Sequence, residues 1–393
     1  MIQILLIAAL AAVTLGLVLE AGCRWWLRRR SRYHVWPSRL RQEIRLARDV
    51  FPELEPQVRF DINADGERGD EVPRDSDGLF RVLATGGSAV ECFALDQSSS
   101  WPVALQRLLN ESGTLGRVHV GNIGHSGVGA AELDRILERT LPQYGRVDLI
   151  LIMVGTSDVY HWVEQGAPPS RAAALVPEAL LFGDYPRQPF GWRPGALATV
   201  EVARRLRRRW LRPVEIKERA GAWQAKARRM RAEATDVRHT MPDATAMVRN
   251  FEDYFRRACG RAQAHADRVV VLLQPWFDGP YTPEEEGRFW HGAVGKPWRD
   301  TVTTYYSLEV MNRLLDLVHQ RAASVADELG LARVNLRQVL TQRVRHYFDH
   351  DHFTPAGAAL VAQTVANTLL PVQQRAPRVT AATNGHHLQA QLG

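Results

Sequence analysis

Two apolar runs that stop at glycine constrain this chain most. Phe80-Arg81-Val82-Leu83-Ala84-Thr85 runs into Gly86-Gly87-Ser88, and Val147-Asp148-Leu149-Ile150-Leu151-Ile152-Met153-Val154 runs into Gly155. Near-continuous aliphatic runs bounded by small residues read as strands buried on both faces, as a parallel sheet covered by helices requires. Val118-His119-Val120, the run 269–273 and Ala332-Arg333-Val334-Asn335-Leu336 supply further strands, and 305–329 reads as a long helix. The predicted fold class is therefore α/β, a three-layer sandwich with a central parallel sheet flanked by helices. Open sheets of this kind collect ligands beyond the carboxyl ends of their strands, where Ser88, Gly127 and Ser157 would meet.

The chemistry-bearing residues fit that edge. A serine hydroxyl is a poor nucleophile until a base takes its proton. The chain offers Ser88 after the first run and, far downstream, Asp349-His350-Asp351-His352. An Asp and a His three residues apart supply an orienting carboxylate and a general base, so Ser88, His352 and Asp349 form a candidate triad. Each piece has a plainer reading. Gly-Gly-Ser after a strand is commonly a turn, and His350 and His352 with Asp349 and Asp351 also suit a metal, given a further ligand from elsewhere. No metal and no cofactor is expected. Asp158 is expected to tie down the loop after Gly155, and His125 either lines the pocket or packs its loop.

Four blocks in one order resemble the SGNH (GDSL-like) hydrolases across roughly residues 76–370. Gly86-Gly87-Ser88 matches the block that usually reads Gly-Asp-Ser, with Gly87 in the Asp place. Asn122-Ile123-Gly124-His125-Ser126-Gly127 matches the Asn-x-Gly-x-Ser-Gly block, Gly155-Thr156-Ser157-Asp158 the Gly-x-Asn-Asp block, and Asp349-His350-Asp351-His352 the closing Asp-x-x-His. The resemblance implies a flavodoxin-like sheet, Ser88 as nucleophile, and the Ser88 and Gly127 amides as oxyanion donors. It places Ser157 where the family has an asparagine. Serine is the shorter donor of the two, and losing one oxyanion donor costs about 3 kcal/mol in a related site. Slower turnover, altered geometry, or recruitment of another donor such as the Thr156 hydroxyl would follow.

The amino terminus sets location. Residues 2–19 carry no charge and are followed by Trp25 and Trp26, which suits a single-pass helix in a bacterial-type membrane. A basic n-region is missing, so an uncleaved signal-anchor is favoured over a cleaved signal peptide. Residues 24–48 hold nine arginines against Glu43, which predicts that the following chain stays cytoplasmic. Anchored members of the resembled family often work outside, on envelope polymers, so the side stays open. The three cysteines, Cys23, Cys92 and Cys259, offer no disulfide framework.

The domains are then 1–35, anchor and basic flank; 36–79, a linker with a small hairpin at 58–69; 80–370, the hydrolase-like domain with an insertion at about 160–266; and 371–393, a disordered tail. The insertion is expected to form a lid or side wall at the catalytic edge. Within it, residues 204–231 carry twelve Arg or Lys against two Glu and read as helix with a basic face, solvated or touching a membrane surface. No nucleic-acid module is evident. Trp276, Trp290 and Trp298 stack on sugar faces, enclose an acyl chain, or pack the insertion. Two function classes follow. One is a serine esterase or O-deacylase working through an acyl-enzyme, first on an acylated polysaccharide or other glycan, with a lipid ester as the alternative. The other is an acyltransferase or a degenerate binding protein.

Overall fold

The computed structural model describes all residues except 74, 76, 146, 170–176, 187–196 and 371–393, so the expected disordered tail lies outside the described residues. Among the described residues the strands are β1 (Arg41–Leu46), β2 (Gln57–Asp61), β3 (Phe80–Gly86), β4 (Val118–Asn122), β5 (Val147–Met153), β6 (Val214–Ala220), β7 (Asp236–Arg238), β8 (Ala266–Leu273), β9 (Thr304–Tyr306) and β10 (Ala332–Asn335). Five of these make the central sheet in the order β10-β8-β5-β3-β4, every neighbouring pair parallel. Counted along the chain, that is the 2-1-3-4-5 order of a doubly wound sheet, whose switch point lies between β3 and β5.

Side-chain alternation sorts the core into two layers. Val82, Ala84, Leu149, Leu151, Val270 and Leu272 face the helices Trp101–Ser112 and Pro355–Leu369. Leu83, Ile150, Ile152, Val269 and Val271 face Ala130–Thr140, Thr245–Gln263 and Leu308–Glu328. Strands buried on both faces need apolar residues at every position, which is why these runs are continuous. Each buried Val, Leu or Ile contributes roughly 1.5–3 kcal/mol. Gly86 ends β3 because nothing larger fits: its φ is +149°, and a Cβ would lie 1.8 Å from the Met153 carbonyl oxygen.

Several segments differ from expectation. Residues 36–79 are woven into the body: β1 pairs antiparallel with β2 and parallel with β6, and Ile44, Val58 and Phe60 join the first core layer. The turn at Asp65-Gly66 exists, closed by an Ile62–Arg68 bridge, but the main partner of β2 is β1. The basic stretch is not one helix. Helix Ala198–Leu211 stops before Pro213, β6 follows, and a second helix spans Trp223–Ala232. Proline removes a backbone donor and clashes with the preceding turn, so the chain restarts as strand. The end of the 160–266 stretch is core, since Thr245–Gln263 packs Phe251, Phe255 and Cys259 onto the sheet.

Among the described residues one helix, Ile2–Arg30, is long and apolar enough to cross a membrane, and its apolar window has no burial inside the protein. Its carboxyl end is docked: Leu27 is fully buried. The Glu20 carboxylate accepts the Ala198 N–H at 2.8 Å, the Thr199 N–H at 3.0 Å and the Thr199 hydroxyl at 3.1 Å. It thus satisfies donors that the first turn of Ala198–Leu211 would leave unpaired.

Candidate active site

Ser88 opens a single helical turn just past β3, and the other parts arrive from distant chain. The loop 347–353 is pinned by a Tyr347–Phe353 bridge and by the Phe348 N–H on the His352 carbonyl at 3.1 Å. Thr354 caps the following helix by accepting the Gly357 N–H at 3.2 Å. This places His352 Nε2 2.7 Å from Ser88 Oγ. On the other side of the ring, Nδ1 lies 2.8 and 2.9 Å from the Asp349 oxygens, so Nδ1 carries the proton and Nε2 accepts from the serine. Asp349 is fully buried and its Oδ1 also accepts the Asp351 and His352 amides at 3.2 and 3.0 Å, which holds it ionised, its carboxyl well below the usual range.

Burial on its own would depress the His352 imidazole, but Asp349 and Asp351 outweigh it and hold the ring above its ordinary value. Asp351 Oδ1 is 3.3 Å from His352 Nδ1, and its Oδ2 accepts the Thr156 hydroxyl at 2.8 Å. Thr156 is held in turn by Gln274 at 2.9 Å. Its one hydroxyl proton goes to Asp351, so Thr156 is not available as the third oxyanion donor. His350 points away from His352: Tyr160 donates to its Nδ1 at 2.9 Å, and its Nε2 donates to Asn312 at 3.2 Å. Burial pushes His350 down to about 3, leaving it neutral.

Gly127 and Ser157 border the same cavity of about 750 Å³ as Ser88 and His352. Among the described residues, the backbone amides of Ser88 and Gly127 have no hydrogen-bond acceptor. Gly127 has φ +76°, a left-handed conformation that glycine adopts without strain. Ser157 Oγ stands 3.6 Å from where a Cβ on Gly87 would sit, which places its hydroxyl close behind the serine loop. Asp158 faces inward and takes the Ala130 N–H on both oxygens, at 3.1 and 3.0 Å. His125 packs on Trp36 with ring centroids 4.8 Å apart and does not border the cavity.

Arg68, Glu91 and Phe51 at the site carried no sequence signal. Arg68 is completely buried and donates to the carbonyls of Glu91, Cys92 and Leu95 at 2.6, 2.7 and 2.7 Å, bracing the loop that follows Ser88. Glu91 accepts the Ser126 amide and so fixes the Gly127 loop. Phe51, from the segment read as linker, and Phe93, Leu95, Phe348 and Phe353 form apolar wall. Lys217, Glu218, Trp223 and Gln224 add a side wall from the excursion after 160, completed by Trp290 and Trp298. Trp223 and Trp290 meet edge-on at 4.8 Å, and Trp298 remains 43% exposed. Glu164 also borders the cavity, and burial raises its carboxyl to about 8.

No protein-family model matches the chain, and no curated protein matches it. Among solved structures it is similar to an acetylxylan esterase from Geobacillus stearothermophilus, with 12% identity, 73% of this chain and 92% of that one covered, and a TM-score of 0.39. It is also similar to an alpha/beta hydrolase enzyme from the metagenome of Lake Arreo, Spain, with 12% identity, coverage of 74% and 96%, and a TM-score of 0.43.

Proposed function

We propose that this chain is a membrane-anchored serine esterase of SGNH type that removes acyl groups through an acyl-enzyme. The observation that carries the reading is the hydrogen-bonded line Ser88–His352–Asp349, opening on a cavity that also holds Gly127 and Ser157. Ser88 Oγ attacks the ester carbonyl while its proton passes to His352 Nε2, and Asp349 stabilises the imidazolium. The oxyanion takes hydrogen bonds from the Ser88 and Gly127 amides, with the Ser157 hydroxyl as third donor. Collapse of the adduct sends the His352 proton to the leaving alcohol. Water then attacks the acyl-serine by the same route and releases the acid.

The carrier we favour is an acylated glycan. The indoles of Trp223 and Trp298 are partly open to solvent on the cavity wall, where flat aromatic faces suit pyranose rings. A lipid ester is the second reading, supported by the apolar side around Phe51, Phe93 and Phe353 and by the apolar helix Ile2–Arg30. The complete serine, histidine and aspartate set favours turnover over a binding role.

The test is hydrolysis of p-nitrophenyl acetate, butyrate and octanoate by the full-length protein in detergent, beside Ser88→Ala. A drop of about a thousandfold or more in kcat supports the reading. Equal rates in both proteins refute it. Preference for acetate points to a deacetylase, and preference for octanoate to a lipid esterase.

A further inference from the structure

Next to the triad lie two buried groups, the His291 ring and one Asp351 oxygen, that no hydrogen bond engages among the described residues. His291 is buried beneath Trp290 and Tyr160, with ring centroids 3.9 and 4.6 Å away, and neither of its nitrogens has a hydrogen-bond partner among the described residues. Asp351 Oδ1 is buried and equally without a hydrogen bond. These two atoms face each other across 3.6 Å between His291 Nε2 and Asp351 Oδ1. Asp351 Oδ1 is 3.3 Å from His352 Nδ1, which is 2.8 Å from Asp349 Oδ1. One ligand atom from each of His291, Asp349, Asp351 and His352 falls within 4.8 Å of all the others.

Leaving buried polar atoms unpaired costs free energy unless something else engages them. Two imidazoles and two carboxylates are the donor set of a tetrahedral zinc-type site, and at the usual bond lengths such ligand atoms stand about 3.3 Å apart. Two of the separations, 3.6 and 3.3 Å, are already near that value, and the two carboxylates balance a dication. His291, Asp351 and His352 also border the open cavity, so an ion has a path inward.

We propose that these four residues form an inhibitory site for a divalent transition metal such as zinc. Coordination at His352 Nδ1 takes the lone pair there, and the proton that Nδ1 carried passes through solvent to Nε2. The neutral ring then keeps its one proton on Nε2. Nε2 now donates to Ser88 Oγ and no longer accepts from it, so the serine loses its base. The metal is a reversible lock, and a chelator reopens the site. The inhibitory consequence rests on the esterase reading given above, whereas binding of the ion does not.

Two measurements on the full-length protein separate these claims. Cobalt(II) titration should produce the intense visible bands of a tetrahedral site in the wild type, and His291→Phe should abolish them. Ester hydrolysis titrated with zinc should show inhibition reversed by EDTA, with the half-inhibitory concentration raised at least tenfold in His291→Phe. His291→Gln, which keeps a polar group, serves if the phenylalanine variant fails to fold. Weak octahedral cobalt spectra, or zinc inhibition unchanged by both substitutions, would overturn the proposal. Tetrahedral cobalt bound to a protein with no esterase activity would keep the metal site and refute the esterase reading.

Discussion

Asp351 Oδ1 stands 3.3 Å from the nitrogen of His352 that Asp349 holds at 2.8 Å, so one imidazole faces two buried carboxylates. Together they raise its basicity. The base must be neutral to act, so activity should climb on a limb above the ordinary histidine value near 6.5. Asp351→Asn removes one charge, and the limb of kcat/KM against pH should move to lower pH. A limb that stays in place would mean that Asp349 alone sets the ring. The matching stability term is full below about 6.5 and is lost as pH rises through the raised value, which denaturation at pH 6 and pH 10 would register.

Glu67 is wholly buried, accepting Arg81 at 2.8 Å and Asn63 at 3.0 Å and lying 3.1 Å from His119 Nε2. Burial opposes its charge, but these partners prevail and lower it to about 2. Its contribution is therefore present above about 4.5 and lost as pH falls toward 2. Glu67→Gln should cost about 3–5 kcal/mol at pH 7, and urea midpoints of variant and wild type should converge below pH 4.

Gly86→Ala forces a Cβ to within 1.8 Å of the Met153 carbonyl, between β3 and β5 at the switch point. The backbone on both sides is sheet and cannot yield locally. A loss of at least about 3 kcal/mol is expected, read as a fall in thermal midpoint or as insoluble protein. Gly127→Ala, whose nearest neighbour is a His161 ring atom at 3.6 Å, should keep the fold and lower kcat.

Arg68→Met keeps volume but leaves the Glu91, Cys92 and Leu95 carbonyls without their shared donor. The loop after Ser88 should loosen, with kcat/KM for p-nitrophenyl acetate falling about tenfold to a hundredfold. Circular dichroism should show secondary structure retained.

The central sheet was legible because β3, β5 and β8 are buried on both faces, and such strands announce themselves as unbroken aliphatic runs. β1 and β6 escaped notice for the opposite reason. Arg41–Leu46 and Val214–Ala220 alternate charge with aliphatic residues, and the pairing that joins β6 to the β1–β2 ladder spans a long stretch of chain. Thr245–Gln263 was counted with the insertion because its helical pattern says nothing about the partner that covers it. At the site, Ser88, Gly127, Ser157, Asp349 and His352 stood in short recognisable blocks. His291 and Arg68 did not, since what sets them apart is burial beside groups remote in sequence.

Glu20 gives the leader a second meaning. A peptidase cut, or a shortened chain made for solubility, that falls after residue 20 strips Ala198 and Thr199 of their acceptor, and one beyond residue 27 also empties the slot of Leu27. The helix released in this way runs on through Pro213 into β6, which supplies Lys217 and Glu218 to the cavity. Removing the leader therefore reaches the cavity wall, and the smallest faithful form of this protein begins at or before Glu20.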